Sequence, residues 1–97
     1  MRSIRVHKSH ALSLEEARRR VERAALRAES RYRVIWRWVD DALEVLPPPG
    51  MARGAHGRLL LSEGMVEAQV HLPPSLGLLR GRIESRLADK LDELLAS

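Results

Sequence analysis

The chain has no cysteine and no phenylalanine, one tyrosine, two tryptophans and, among seventeen basic side chains, only two lysines. Without cysteine there are no disulfides, no thiolate metal ligands and no thiol nucleophile, a composition that fits the reducing cytoplasm. Long apolar runs are missing too. Stretches such as Val34 to Trp36 and Leu59 to Leu61 fall far short of the roughly 20 residues a membrane helix requires, and the polar start of the chain carries no apolar signal core. The expectation is a soluble, cytoplasmic protein. What is present, 44% hydrophobic and 31% charged residues among 97, is a globular balance rather than a disordered one, and the length suits a single domain spanning 1–97.

Charge is unevenly placed. Residues 1–49 hold eleven basic and seven acidic side chains, whereas 50–97 hold six of each. The formal net charge of +4 makes polyanions a candidate class of partner. Net charge speaks to solubility and unspecific attraction, however, and a chain rich in Arg, Ala and Leu also follows from base composition alone.

Ile4-Arg5-Val6-His7 alternates as a short half-buried strand does, and a helix start signal follows it. In Ser13-Leu14-Glu15-Glu16 the Ser13 hydroxyl is placed to accept from the amide of residue 16 while Glu16 reaches back to the Ser13 amide, with Leu12 as a staple. Leu14, Ala17, Val21, Ala24, Ala25, Ala28 and Tyr32 then recur on one stripe of a helix of about five turns, small enough to pack closely on a sheet. Glu15 and Glu16 stand four residues before Arg19 and Arg20 as supporting pairs.

From Val34 the period becomes two, with Val34, Trp36 and Trp38 on one side and Ile35, Arg37 and Val39 on the other. Asp40-Asp41 turns the chain into a second strand, Ala42 to Leu46, which ends at Pro47-Pro48-Pro49-Gly50, a loop or sheet edge. Gly57 to Leu61 meets Met65 to Leu72 across Ser62-Glu63-Gly64, where Gly64 supplies a positive φ, and Val66, Ala68, Val70 and Leu72 face inward. Ser75 is read as the cap of a last helix with Leu76, Leu79, Ile83, Leu87, Leu91 and Leu94 as its stripe. Gly77 and Gly81 in its first turns imply a close backbone contact or a frayed start. The order β-α-β-β-β-β-α predicts an α+β fold, an antiparallel sheet with both helices on one face.

Ile4-x-Val6, the His10-Ala11-Leu12 step into Glu15-Glu16-Ala17-Arg18, Trp36-x-Trp38, Asp41-x-Leu43, Gly54-x-x-Gly57 and Leu76-Gly77-Leu78-Leu79 closing in Leu91-x-x-Leu94-Leu95 together resemble the polyhydroxyalkanoic acid system protein family. These are small bacterial proteins of polyhydroxyalkanoate granule gene regions. The resemblance covers nearly the whole chain and rests on packing patterns, with the Pro47 to Gly50 loop longer than the family pattern. It implies a non-enzymatic accessory protein acting through contacts with the granule surface or a granule-associated protein. It carries over no catalytic residue and no cofactor.

The residues themselves offer little catalysis. His7, His10, His56 and His71 form no recognised ligand spacing, and Asp40-Asp41 fits turn chemistry. His10 is expected to bond a backbone group at the start of the first helix. Gly54-Ala55-His56-Gly57 lacks the Lys and the following helix of a phosphate loop, and reads as the start of a strand with room for a bulge. Trp36 and Trp38 read as the bulky part of an aliphatic core.

The candidate interaction surface is Arg19, Arg20, Arg23 and Arg27 on the polar side of the first helix, together with Leu78 on the outer side of the last. Arg19, Arg23 and Arg27 are expected to form a nearly axial row, readable as a solvated face, as a contact for an acidic protein or granule coat, or as a nucleic-acid contact. No aromatic is interleaved among these arginines, which weighs against nucleic acid. Two further readings stand beside the granule one: a small nucleic-acid-binding or regulatory module, and an acyl-ligand carrier, for which Ala-rich packing is expected to leave little room. Leu78 beside Gly77 and Gly81 makes a homodimer a further candidate assembly.

Overall fold

The structure is a computed structural model describing residues 2–48, 50 and 54–96. Its elements are β1 (Arg2–Ser9), α1 (Leu14–Tyr32), β2 (Ile35–Val39), β3 (Ala42–Leu46), β4 (His56–Ser62), β5 (Met65–Leu72), a 3₁₀ turn (Pro74–Leu79) and α2 (Arg80–Leu95). The strands form one antiparallel sheet in the order β1-β5-β4-β3-β2, so the first strand joins the last and β1 and β2 are its edges. This is the α+β arrangement expected from the order of periods.

The period of two decides which face the helices cover. Register brings Ile4 opposite Val70, Val6 opposite Ala68, Leu61 opposite Val66, Leu43 opposite Leu59, Trp36 opposite Val45 and Trp38 opposite Leu43 on that face. Both helices lie there: α1 buries Ala17, Val21 and Ala25, and α2 buries Leu91. Ile4, Val21, Leu43 and Val66 are the largest side chains sealed almost completely, and with no phenylalanine the core is aliphatic. Lys8, on the same face of β1, reaches Asp92 of α2 at 3.1 Å.

Two hairpins make the meander. Asp40-Asp41 joins Val39 to Ala42, and Asp40 takes a φ of 56°, a left-handed value that short polar side chains tolerate. Gly64, at φ 78°, turns β4 into β5. Beyond Gly64 lies the start of α1, where the His10 amide donates to the Gly64 carbonyl at 2.9 Å and His10 Nδ1 accepts from the Leu12 amide at 3.2 Å. The expected backbone bond of His10 is therefore present, while its Nε2 is buried without a partner.

Several expectations are corrected. Ser75 does not cap a helix. Pro73 and Pro74 preset φ near the helical value, and the chain makes a 3₁₀ turn over Pro74–Leu79 before α2 begins at Arg80. A Cβ placed on Gly81 would meet nothing within 4 Å, so Gly81 marks this irregular start and not a close contact. No bulge occurs at Gly57, whose pairings with Val45 and Val70 continue the regular register. Tyr32 and Leu79, placed on apolar stripes by periodicity, are exposed because each lies at the end of its element. Pro49 of the Pro47 to Gly50 loop lies outside the described residues.

Val70, Ile83 and Leu87 are half-buried rather than sealed, packing against the cluster that contains Leu91. Leu91→Ala is expected to cost about 2–5 kcal/mol, and Leu87→Ala about 1–2 kcal/mol, because part of the Leu87 side chain already meets solvent. Urea unfolding of the two variants measures both. Equal losses would mean that Leu87 is as deeply docked as Leu91.

Candidate functional site

The arginines of α1 divide among three sides of the helix, the fourth being the buried face of Ala17, Val21 and Ala25. On the flank toward β2, Arg18 donates to the Asp40 carbonyl and to Asp41 Oδ1, both at 3.2 Å, and its guanidinium lies 4.0 Å from the centroid of the Trp38 ring. The indole N–H of Trp38 donates to Glu22 at 2.8 Å and that of Trp36 to Glu29 at 2.7 Å. The two tryptophans are thus not deep core. They are half-buried links between an edge strand and the helix, using apolar faces against the core and polar edges against carboxylates.

On the opposite flank Arg20 is fully engaged. Its Nε donates to Glu16 Oε2 at 3.0 Å, and its Nη1 donates to the carbonyls of Leu94, at 3.1 Å, and Ala96. Carbonyls at a helix C-terminus carry partial negative charge and lack intrahelical partners, so a guanidinium from α1 closes the end of α2. Arg20 is therefore a clasp between the helices and not part of a free basic face.

Glu16 explains a further departure. Its amide donates to the Ser13 hydroxyl at 3.1 Å, as the capping pattern predicts, but its carboxylate takes Arg19 at 2.9 Å and Arg20 at 3.0 Å instead of returning to the Ser13 amide. Two cations offer stronger, charge-assisted bonds than one amide does. The Arg20 hydrogen bond holds the Glu16 carboxyl below its ordinary 4.5; desolvation opposes this, and the charges of Arg19, Arg20 and Arg23 add to it. The expected Glu15–Arg19 pair is replaced by Glu16–Arg19.

Arg23, Arg27 and Arg31 remain without a carboxylate within ion-pair distance among the described residues. Residues four apart advance by about 40° around a helix of 3.6 residues per turn. A row that leaves the solvent side at Arg19 therefore winds through Arg23 and reaches the α2 flank at Arg27 and Arg31. That flank borders an open groove of about 840 Å³ between the C-terminal halves of the two helices, floored by the sheet. The row is helical rather than axial, and Arg31, unremarked by its spacing, belongs to it. Leu78 lies on the 3₁₀ turn, fully exposed and on a different element from the arginines.

The histidines stay dispersed. His7 sits 3.3 Å from Glu67, and His56 stacks on His71 with ring centroids 4.9 Å apart on the sheet face opposite the helices. Hairpin register pairs those two rings directly, which the position of the Gly64 turn would have revealed. Among the described residues no three metal-ligating side chains converge, and no helix is long and apolar enough to cross a membrane.

The family described as putative polyhydroxyalkanoic acid system protein matches residues 4–95. The chain belongs to that family. Its match takes in α2 and all of the sheet except the first residues of β1, so the family shares the whole scaffold and not one motif. No curated protein and no solved structure matches the chain significantly. The family description names a polyhydroxyalkanoic acid system, while the arginines and the groove are properties of this chain.

Arg20→Gln is expected to destabilise the fold by about 1 kcal/mol through the lost clasp, the partial exposure of the side chain keeping the effect modest. Arg27→Gln should stay within about 0.5 kcal/mol. Urea midpoints decide between them, and equal values would deny Arg20 its structural role. Because the carboxyl of Glu16 is lowered, its contribution is complete above the pKa it has in the unfolded chain. That contribution disappears as pH falls through the lower folded value. Unfolding of wild type and Glu16→Gln should differ at pH 6 and converge below the ordinary 4.5.

Proposed function

We propose that the protein is a non-enzymatic accessory component of the polyhydroxyalkanoate storage-granule system. In this reading it works in the cytoplasm through surface contact with the granule or a granule-bound protein. Family membership supports the setting, and the unpaired guanidinium row on α1 supports the mode of contact. That row is the observation that carries the reading. Arginines already neutralised by Glu16, Asp41 or carbonyl oxygens have little to offer a partner, whereas Arg23 and Arg27 keep their full attraction for an anionic surface. Such attraction needs positive potential and no stacking or groove readout, which suits a helix without interleaved aromatics.

The test is co-sedimentation of the purified protein with isolated granules. Changing Arg23 and Arg27 together to Gln should leave the fold intact and weaken association about tenfold or more, and added salt should weaken binding of the unaltered protein. Unchanged association of the double variant would exclude the row as the contact. Tight duplex-DNA binding with a steep salt dependence would favour a nucleic-acid module instead.

A further inference from the structure

The groove between the helices is larger than Ala-rich packing, expected to leave little room, would suggest. Where Ala17, Val21 and Ala25 press on the sheet the core is closed, but Ala24 and Ala28 face α2 across a gap that neither helix fills. Its floor is made by Val45, Leu59, Ala68 and Val70 of the three adjacent strands β3, β4 and β5, and Leu94 closes its α2 side. The volume, about 840 Å³, lies within the range of roughly 300–1,000 Å³ typical of small-molecule sites.

Charge at the rim selects among small molecules. Arg27 and Arg31 stand one turn apart on the α1 wall, neither held by a carboxylate among the described residues, and Lys90 stands on the α2 wall. Arg58 does not add to this rim, because its guanidinium is 3.8 Å from Glu44 on the other face of the sheet. The one acidic group on the groove wall, Glu93, is 3.7 Å from Lys90 and partly neutralised. An apolar trough bordered along one wall by two guanidiniums without a carboxylate partner among the described residues matches a molecule that is largely apolar and carries one anionic group.

We propose that this groove binds an acyl chain bearing a carboxylate. The chain lies along Ala24, Ala28, Val45 and Val70, and its carboxylate is held by Arg27 and Arg31. Guanidinium recognises a planar carboxylate with charge-assisted, paired hydrogen bonds, and burial of methylenes against the floor supplies the rest of the affinity. Arg27 and Arg31 are shared with the row proposed to meet the granule, whereas the apolar floor serves the ligand alone and the outward Arg19 and Arg23 take no part in holding it.

The experiment uses the full chain and dodecanoate, kept below its micelle concentration, with dodecanol and acetate as controls, followed by titration calorimetry. Dodecanoate should bind saturably at one site, dodecanol about tenfold more weakly and acetate not measurably. Arg31→Gln should weaken dodecanoate about tenfold and leave dodecanol unchanged, while Ala28→Trp, which fills the trough, should abolish binding of both. Granule co-sedimentation of Ala28→Trp should remain normal, so loss of the ligand and loss of granule contact are separable. Should Ala28→Trp fail to fold, amide chemical-shift mapping of the unaltered protein decides: shifts centred on Ala24, Ala28, Val70 and Leu94 support the site. No saturable binding, shifts centred elsewhere, or equal affinity for dodecanoate and dodecanol would overturn the proposal.

Discussion

Everything else in the structure depends on how closely α1 approaches the sheet, and that distance is set by Ala17, Val21 and Ala25, all buried. Side chains this small let the helix backbone settle near the strands, and Val21 joins Ile4, Leu43 and Val66 in one sealed cluster. Close approach also brings the flanks of the helix within hydrogen-bond reach of their neighbours. Arg18, Glu22 and Glu29 meet the Asp40-Asp41 turn and the two indoles, while Arg20 meets the end of α2. Individually such half-exposed polar links contribute only about 0.5–1.5 kcal/mol. Their role is to fix the rotation of α1 about its axis, and that rotation determines which arginines remain free.

Periodicity made most of the scaffold legible. The change from a spacing of three and four to a spacing of two at Val34 marks the end of α1, and Ser13 caps its start as the pattern requires. Hairpin turns at Asp40-Asp41 and at Gly64 set the register of β2 to β5. Pattern failed where a local rule met a stronger tertiary alternative. Glu16 abandons half of its cap for two guanidiniums, and Ser75 yields to the fixed φ of Pro73 and Pro74. Tryptophan is apolar by area but carries a donor, and on an edge strand beside acidic helix residues the donor decides its place.

The candidate surface was less legible, because a helical wheel distinguishes inside from outside but not free charge from committed charge. Arg19, Arg20, Arg23 and Arg27 look alike in sequence. Only the tertiary structure shows Arg20 spent on carbonyls contributed from more than seventy residues away, and Arg27 turned toward α2. Arg31 escaped notice for the same reason, since its importance comes from the groove beside it and not from its neighbours in the chain.

The groove and the scarcity of aromatics are two aspects of one fact. Helices crossing a twisted sheet diverge toward one end, and a wedge-shaped gap is ordinarily filled by phenylalanine or a similar large side chain. This chain has no phenylalanine; its two tryptophans are held at the β2 edge by Glu22 and Glu29, and its one tyrosine, Tyr32, stands exposed at the rim. No bulky residue is left for the wedge, and alanines at 24, 28 and 68 keep it open. Leaving Val45, Val70 and Leu87 half-covered sacrifices burial worth about 25 cal/mol for each Å² of apolar surface, a loss that one larger side chain at position 28 would recover. A fold shaped for stability alone would have closed that gap, so the open, arginine-rimmed trough is the feature of this molecule that stability does not explain.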